Sequence, residues 1–312
     1  MLRTTLGPLQ LKNPILSASG TFGSGWEGRA HAGLAAEDLA AAGALVSKTV
    51  TKAPRRGNPP PRILETPSGM LNSIGLENRG IDHFLAETLP RMKTLGPAVI
   101  VNIGGEAVRE FAELAGRVCE AGAAAIELNL SCPNVQGGRL PFSTVPAETE
   151  RAVAAVKRVS TLPVFAKLSP NVTDIAPIAR AAEQGGADGI TAVNTFVGMA
   201  IDWRSRRPVL GRGIGGLSGP AIRPLALRMV HDVCRAVRIP VIGVGGIATA
   251  EDVLQFLCAG ASAVEVGTSV FADPRALARL VSELEDLLRA EGETVRGMIG
   301  SLRTEPLEAA WR

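Results

Sequence analysis

Short apolar runs rich in β-branched residues alternate along this chain with longer, Ala-rich segments whose apolar positions recur at a helical period. The short runs are almost continuously apolar, which indicates strands buried on both faces, as in a parallel sheet covered by helices. Eight strands are predicted, at residues 14–19, 44–50, 98–103, 124–129, 164–168, 189–194, 240–244 and 263–266. The helical segments between them include residues 106–121, 148–159, 175–184, 222–237 and 250–259.

This alternation in 312 residues favours the α/β class and a closed (β/α)8 barrel, or TIM barrel, over an open, doubly wound sheet. Several helical segments end in glycine directly before an apolar strand, as at Gly122 and Gly260, which is a typical helix stop. No linker-like composition interrupts the pattern, so residues 1–312 are predicted to form a single domain. The first dozen residues alternate weakly and predict a hairpin that closes the bottom of the barrel.

Two insertions break the regular spacing of strands and helices. Residues 51–78 contain five prolines between Pro54 and Pro67, and residues 195–220 contain five glycines between Gly211 and Gly219. Loops of this length in a compact domain are usually functional. Both insertions follow strand ends at the C-terminal face, where barrel enzymes build their sites.

Composition and charge exclude several classes of partner. The 33 basic and 30 acidic residues leave a net charge of +3 with no dense Lys/Arg run, so no nucleic-acid partner is expected. The four cysteines lie far apart and form no C-x-x-C pair, which argues against a metal site or a disulfide framework. No stretch of about 18 apolar residues occurs. We therefore expect no membrane span and a reduced, cytoplasmic location.

Polar side chains stand at the C-terminal ends of six predicted strands: Ser19, Lys48 with Thr49, Asn102, Asn129, Lys167, and Asn194 with Thr195. Strand ends that reach solvent explain any one of these positions, but the whole set favours a shared site. Only six of the 33 basic residues are lysine, yet two of those six end apolar strands. Lysine is a compact cation that tolerates confinement, which favours a functional role over two lysines snorkelling to the rim.

The last two strands end in glycine-containing segments, Gly245-Gly246 and Gly267-Thr268. After strands 7 and 8 of this fold, backbone N–H groups and a short helix commonly bind phosphate, and glycine lets the phosphate approach the main chain. Tight turns explain one such segment but less easily both. A phosphorylated cofactor or substrate is therefore predicted.

Cys132 differs from the other three cysteines. Cys119, Cys234 and Cys258 lie in helical patterns and are expected to be small apolar residues of the packing, whereas Cys132 follows a strand end and enters a polar loop. The three histidines lie in or near helical segments, so a Cys–His nucleophile pair has little support. A thiol titrates near ~8.5, and help from a nearby cation would prepare it for proton abstraction. Cys132 is predicted to act as an acid or base.

The chain resembles the dihydroorotate dehydrogenase family over nearly its whole length. The resemblance is carried by the following segments: Asn72-Ser-Ile-Gly-Leu76, Asn129-Leu-Ser-Cys-Pro-Asn134, Lys167-Leu-Ser-Pro-Asn171, Gly215-Gly-Leu-Ser-Gly-Pro220 and Val244-Gly-Gly-Ile247. The order of these segments on successive strand ends makes the resemblance specific. It implies an FMN-dependent oxidoreductase of pyrimidine biosynthesis that converts dihydroorotate to orotate.

The resemblance also implies which residues bind each molecule. The FMN phosphate would lie at Gly245, Gly246, Gly267 and Thr268, with the remainder of FMN bound by Ser19, Lys48, Thr49, Asn102, Asn129, Lys167, Val193 and Gly219. Substrate would bind Lys48, Asn72, Ser73, Ile74, Gly75, Leu76, Asn129, Asn194 and Thr195. In the implied mechanism Cys132 removes a proton from C5 while hydride leaves C6 for flavin N5. Lys167 would stabilise the reduced flavin.

Within the family, cysteine rather than serine as base resembles the soluble cytosolic class. Lys167-Leu-Ser-Pro and Gly-Leu-Ser-Gly-Pro resemble the type in which a homodimer core passes electrons to a partner subunit that carries FAD and an iron–sulfur cluster and reduces NAD. This chain has no clustered cysteines for such a cluster. Three alternatives stay open at this point: a self-sufficient, fumarate-using enzyme, a dihydropyrimidine dehydrogenase-like flavin barrel, and a barrel that binds sugar phosphates.

Overall fold

The computed structural model describes residues 1–25, 27, 33–131 and 142–303, and its centre is a closed barrel of eight parallel strands. The predicted (β/α)8 barrel is confirmed. Each predicted barrel strand is present, with ends that differ from the prediction by four residues or fewer. The barrel strands are β3 (Ile15–Ser17), β4 (Ala44–Val46), β7 (Ala98–Ile103), β8 (Ala125–Asn129), β9 (Val164–Lys167), β10 (Gly189–Ala192), β15 (Val241–Val244) and β16 (Ala263–Val266).

Helices surround the barrel. Their apolar faces pack on the outer side of the strands, where Phe111, Val153 and Phe256 are fully buried. The α-helices are α1 (Ala36–Ala41), α2 (Gly80–His83), α3 (Leu89–Lys93), α4 (Val108–Glu120), α5 (Pro146–Lys157), α6 (Ala176–Gln184), α7 (Arg223–Ala236), α8 (Ala250–Cys258), α9 (Ser269–Ala272), α10 (Ala276–Ala290) and α11 (Val295–Met298). A π-helical turn (Phe84–Thr88) joins α2 to α3, and 3-10 turns occur at Phe142–Thr144 and Pro220–Ile222. None of the described helices is long and apolar enough to cross a membrane.

The N-terminal hairpin closes the bottom of the barrel, as the sequence predicts. Strands β1 (Thr4–Leu6) and β2 (Leu9–Leu11) pair antiparallel, and Leu6 and Leu11 are buried at 0% and 3% exposure. Both leucines pack against side chains that point into the barrel near the N-terminal ends of its strands, among them Ile100 and Phe165. This apolar plug forms a core of its own inside the barrel.

The two insertions contain strands that the sequence pattern does not predict. Residues 51–78 supply the hairpin β5 (Ile63–Thr66) and β6 (Gly69–Asn72), and residues 195–220 supply β11 (Phe196–Met199) and β14 (Ile214–Ser218). Together they form one antiparallel sheet in the order β11-β14-β6-β5. A small hairpin of β12 (Ile201–Asp202) and β13 (Arg207–Pro208) extends from the second insertion. Each insertion therefore braces the other above the C-terminal end of the barrel.

Candidate active site at the C-terminal end of the barrel

A cavity of about 440 Å³ lies between the strand ends and the insertion sheet. Its volume is within the range of about 300–1,000 Å³ that is usual for sites of small molecules and cofactors. Every predicted binding residue lines this one cavity: Ser19, Lys48, Thr49, Asn72, Ser73, Ile74, Gly75, Leu76, Asn102, Asn129, Lys167, Val193, Asn194, Thr195, Gly219, Gly245, Gly246, Gly267 and Thr268. Cys132 lies outside the described residues.

A chain of hydrogen bonds orients the polar side chains on one wall of the cavity. The Asn129 amide donates to the Thr49 hydroxyl over 3.0 Å and accepts from the Ser131 hydroxyl over 2.9 Å. Asn194 donates to that same Ser131 oxygen, and its own carbonyl oxygen accepts the Thr195 N–H at 2.8 Å. Each amide is thus fixed in one orientation, which presents donors and acceptors in a defined pattern.

The loop of residues 72–76 is held in an unusual backbone conformation. Gly75 and Leu76 have positive φ angles of 77° and 55°, a region that leucine rarely adopts. Asn78 fixes the loop from behind, since its amide nitrogen donates to the Leu76 carbonyl and to Thr51 Oγ1, each at 2.8 Å. The loop is therefore shaped before any ligand binds.

The antiparallel sheet of the two insertions (β11-β14-β6-β5), here called the insertion sheet, holds Asn72 and Thr195 beside each other at the cavity. In β6, Asn72 is in register with Gly216 of β14, which places the two insertions in direct contact. A Cβ atom at Gly216 would lie 2.0 Å from Thr195 Oγ1, so only glycine fits beside that threonine. The close approach of these backbones brings Asn72 and Thr195 to the same cavity.

The far end of the cavity is built from main chain. Within the described part of the chain, the N–H groups of Gly245, Gly246, Gly267 and Thr268 have no hydrogen-bond acceptor, and all four residues line the cavity. Gly245 and Gly246 have φ angles of 130° and 78°, which L-residues with side chains rarely adopt. Unpaired donors that face one space are the arrangement that binds a phosphate group.

The turn after β15 is itself held by α8. Asp252 is 1% exposed, and its Oδ2 accepts the N–H groups of Ala248 and Thr249 at 2.9 and 3.0 Å. Its Oδ1 accepts from Arg223, the first residue of α7. These contacts fix the direction in which the preceding glycines present their N–H groups.

Lys167 forms part of the cavity floor, and the two carboxyl groups that lie against it behind the cavity wall are absent from the sequence prediction. Lys167 lines the cavity and its Nζ lies 2.7 Å from Glu265 Oε2 and 3.6 Å from Glu127 Oε1. Glu127 and Glu265 are each 1% exposed. Asn102 donates to Glu127 Oε1 at 2.5 Å. Lys167 thus lies between two carboxyl groups. The resemblance implies that Lys167 also stabilises the reduced flavin, so its ammonium group would contact both the carboxyl groups and the flavin.

The environment shifts the pKa of each member of this cluster. Burial and the neighbouring Glu127 charge raise the pKa of Glu265 well above its ordinary value. Burial also favours a higher pKa for Glu127, but the Lys167 charge, the hydrogen bond from Asn102 and the neighbouring polar groups of Glu265 and Thr191 lower it overall. Burial opposes charging of Lys167, yet the two carboxyl groups raise its pKa overall. Lys167 is therefore a cation at neutral pH.

Sequence reasoning missed Glu127 and Glu265 because each lies within an apolar strand rather than after one. A signal was present: both occupy the positions that alternate with buried apolar residues, in Ala-Ile-Glu-Leu and Ala-Val-Glu-Val. Ser131 and Asn171 also line the cavity without having been assigned a role. Asn171 accepts the Val197 N–H at 2.9 Å and so joins the end of β9 to the second insertion.

The other three cysteines, Cys119, Cys234 and Cys258, lie on helices outside the barrel. Cys119 and Cys234 pack against the outer core, and burial raises the pKa of Cys234 to about 12. Cys258 accepts a hydrogen bond from Ser301. These partly buried thiols lie on helices and do not line the cavity, as expected for residues of the packing.

Comparison with known proteins gives the family. A family model described as dihydroorotate dehydrogenase matches residues 1–288. The chain is 51% identical over 289 residues (92% of this chain, 90% of the relative) to the catalytic subunit of dihydroorotate dehydrogenase B (NAD(+)) from Geobacillus kaustophilus. It is 48% identical over 296 residues (94% and 95%) to a protein of the same name from Citrifermentans bemidjiense. A Solibacter usitatus protein with the provisional name dihydroorotate dehydrogenase A (fumarate) is 49% identical over 304 residues (97% and 98%). The chain belongs to the dihydroorotate dehydrogenase family.

Proposed function

We propose that this protein oxidises (S)-dihydroorotate to orotate in cytoplasmic pyrimidine biosynthesis, with FMN as the bound cofactor. The observation that carries the proposal is the single cavity that joins a set of oriented amides to a cradle of unpaired backbone N–H groups, with Lys48 and Lys167 at its edge and floor. A planar ring with amide edges suits the first part, and a phosphate group suits the second.

The residues present fit FMN. The N–H groups of Gly245, Gly246, Gly267 and Thr268 would hold the phosphate, and Asn102 and Lys167 would face the ring system from the barrel floor. Asn102 Oδ1 is buried and has no hydrogen-bond partner among the described residues, so it offers an acceptor to a bound molecule. When bound, FMN supplies the acceptor for the hydride that leaves C6 of the substrate.

The other end of the cavity suits the substrate. Lys48 is half-buried, lines the cavity and has no carboxylate within ion-pair distance among the described residues, so its charge is available for a ligand carboxylate. Asn72, Asn129 and Asn194 offer planar amides that pair with the ring's N–H and C=O groups. A substrate bound by these groups would lie between the amide wall and the cofactor end of the cavity.

Cys132 is proposed as the base that removes the C5 proton. It directly follows Ser131, which is 5% exposed and is hydrogen-bonded to both Asn129 and Asn194. The chain therefore leaves the cavity wall at a fixed point, one residue before the thiol. We propose that this thiol acts on a substrate that the same amides orient.

The test of this function is the spectrum and the chemistry of the purified protein. We expect a yellow protein whose bound flavin is reduced by dihydroorotate and which forms orotate with an artificial electron acceptor. Preference for dihydrouracil would favour the dihydropyrimidine dehydrogenase-like alternative. A colourless protein that binds sugar phosphates would contradict the proposal.

Replacing Gly246 with alanine is expected to weaken FMN binding. A side chain at φ 78° costs roughly 1–2 kcal/mol, and a Cβ there would lie 2.7 Å from Arg223 Cβ, so the turn has to move. The N–H groups of the cradle would then lose their common direction. FMN fluorescence quenching gives the dissociation constant. Gly116→Ala is the control, because a Cβ at this residue of α4 meets nothing within 4 Å. Equal FMN affinity in both variants would contradict the cradle.

We propose further that the protein works as a homodimer with a partner subunit that carries FAD and an iron–sulfur cluster and passes electrons to NAD. Two observations support association. Relatives at about half identity are named as catalytic subunits of an NAD(+) enzyme. Outside the cavity, the second insertion exposes three large apolar side chains, with exposures from 52% to 71%, at Met199, Ile201 and Trp203. Exposed apolar side chains that lie close together in this way are typical of a contact with another polypeptide.

Purified alone, the chain is then expected to reduce artificial acceptors with dihydroorotate but to show little NAD-linked activity. The sequence contains no G-x-G-x-x-G segment in a βαβ context for a second dinucleotide, so electrons need a relay on another chain. Steady-state assays with NAD and with fumarate, before and after addition of a co-purifying flavin and iron–sulfur protein, measure this. Efficient fumarate reduction by the chain alone would place it with the self-sufficient type, a name that one relative also carries.

A further inference from the structure

The cluster below the cavity contains more acidic groups than cations. Among the described residues, Glu127 on β8 and Glu265 on β16 share a single cation, Lys167 on β9, and all three side chains are at most 6% exposed. In the order of the barrel, β8 and β16 are four strands apart, which places them on opposite walls. The two carboxyl groups therefore reach toward each other across the barrel axis and meet at Lys167.

The four carboxyl oxygens are used in a pattern that leaves one oxygen of each group without a partner. Glu265 Oε2 accepts from Lys167, and Glu127 Oε1 accepts from Asn102. Glu127 Oε2 and Glu265 Oε1 are buried and have no hydrogen-bond donor among the described residues. Each group thus has one satisfied and one orphaned oxygen. A buried carboxylate oxygen without a donor costs free energy, so this pattern requires an explanation.

We propose that Glu265 is protonated at neutral pH and donates this proton to Glu127, so that the pair carries one negative charge and holds Lys167 as a cation at the floor of the cavity. One proton between Glu265 Oε1 and Glu127 Oε2 satisfies both orphaned oxygens. It also balances the cluster, because one carboxylate then faces one ammonium group. Two ionised carboxyl groups in this enclosed space would leave an uncompensated negative charge.

The surroundings decide which carboxyl group keeps the proton. Glu127 is next to Asn102 in the barrel register and accepts its amide N–H, and this hydrogen bond and the Lys167 charge stabilise its charged form. Among the described residues, Lys167 is the hydrogen-bond partner of Glu265, and burial and the Glu127 charge favour its neutral form. No other titratable side chain hydrogen-bonds to these two carboxyl groups within the described part of the chain.

Neither carboxyl group lines the cavity, whereas Lys167 does. Glu127 and Glu265 are therefore positioning residues that act through the lysine. Insofar as the pair acts on a bound flavin, this inference rests on the proposed function. The proposed shared proton predicts that the cluster beneath the cofactor has no net charge. Lys167, its positive member, would face the cofactor.

Infrared spectroscopy of the purified protein, cofactor included, tests the shared proton directly. In protein grown with ¹³C-labelled glutamate, wild type is expected to show a label-sensitive carboxylic acid C=O band at neutral pH. The band should be lost in Glu265→Gln, which leaves Glu127 as the only carboxylate. It should be retained in the control Glu113→Gln, whose carboxyl group is exposed and pairs with Lys52 on the surface. A wild-type spectrum without the band, or its persistence in Glu265→Gln, overturns the proposal.

Glu127→Gln gives the same test if the first variant does not accumulate. With Glu127 neutral, Glu265 becomes the only counter-ion of Lys167 and is expected to ionise, so the band disappears here too. A band that persists in Glu127→Gln contradicts a single shared charge.

The flavin midpoint potential supplies a second, charge-sensitive readout. Wild type and Glu265→Gln have the same net charge under the proposal, so their potentials should agree within error. A clear positive shift in the variant would show that wild type carried a second negative charge, and would overturn the proposal. The experiments distinguish failure of the two proposals. A colourless, inactive protein that shows the band contradicts only the dihydroorotate dehydrogenase function. A yellow, active protein without the band contradicts only the shared proton.

Discussion

Replacing Cys132 with serine is expected to slow reduction of the bound flavin by dihydroorotate about 10²–10⁴-fold at neutral pH, which is the usual scale for loss of a general base. A serine hydroxyl is a far weaker base than a thiolate, whose parent thiol titrates near ~8.5. Binding of FMN and orotate should change little, because the residues that orient the rings belong to the strand ends. Stopped-flow absorbance of the flavin after mixing with dihydroorotate gives the rate.

The pH profile separates a chemical role of Cys132 from a structural one. In wild type the reduction rate should rise as the pH passes through the thiol pKa, and in the variant this rise should move to much higher pH. Cys119→Ser is the matched control, because Cys119 lies on α4 and does not line the cavity. An unchanged rate in Cys132→Ser would remove this residue from the mechanism.

Lys167→Ala is expected to destabilise the protein by about 3–5 kcal/mol, the usual cost of removing one partner from a buried ion pair. The substitution leaves Glu127 and Glu265 facing each other at 1% exposure without a cation. Both groups should then be protonated in the folded variant. Because the unfolded chain loses those protons near ~4.3, the free energy of unfolding of the variant should fall as pH rises above that value. Weaker FMN binding should accompany the loss of stability.

Urea unfolding followed by circular dichroism at several pH values measures this effect, and flavin fluorescence measures cofactor affinity. Lys52→Ala is the control, since Lys52 and Glu113 form a pair that is about half exposed, and such pairs contribute roughly 0–1 kcal/mol. If Lys167→Ala unfolded with the same midpoint as Lys52→Ala at each pH, the buried cluster would not contribute to stability.

Much of the fold follows from local patterns. Each barrel strand is a short apolar run buried on both faces, so its existence is readable from the sequence. Before several of these strands, a glycine marks the end of the preceding helix. The placement of Asn102, Asn129, Lys167 and Asn194 around one cavity follows once the strands are known to be parallel. In a parallel barrel all carboxyl ends meet at one face, so polar strand ends converge there.

The insertion sheet was not predictable by the same reasoning. Its strands are short and rich in glycine, as in Ile214–Ser218, and that strand pairs with Gly69–Asn72, nearly half the chain away in sequence. Neither segment has the continuous apolar pattern of the barrel strands. Most of their residues are only partly buried, because the two strands belong to the insertion sheet and not to the barrel core. The pairing is decided by tertiary contact, which a local pattern does not encode.

The charged cluster escapes sequence reasoning for a geometric reason. Glu127 and Glu265 are 138 positions apart, as their residue numbers show, and lie on strands that do not pair with each other. In the sequence, each glutamate is an isolated charged residue within an otherwise apolar strand, and it does not by itself indicate a site. Closure of the barrel brings the two opposite strands together. Lys167 then lies between the two glutamates and compensates their negative charge.

The N-terminal hairpin closes one end of the barrel, and the cavity is the mouth at the other end. Leu6 and Leu11 pack there with buried leucine, isoleucine and phenylalanine side chains, so in the described part of the chain we expect water to reach the inner acids from the side of the cavity. A cofactor seated in that mouth would insulate the proton on Glu265 from the surrounding solution. Exchange of this proton for deuterium would then wait for the cofactor to leave, and the charge beneath the reacting ring would stay constant while the pH outside varies.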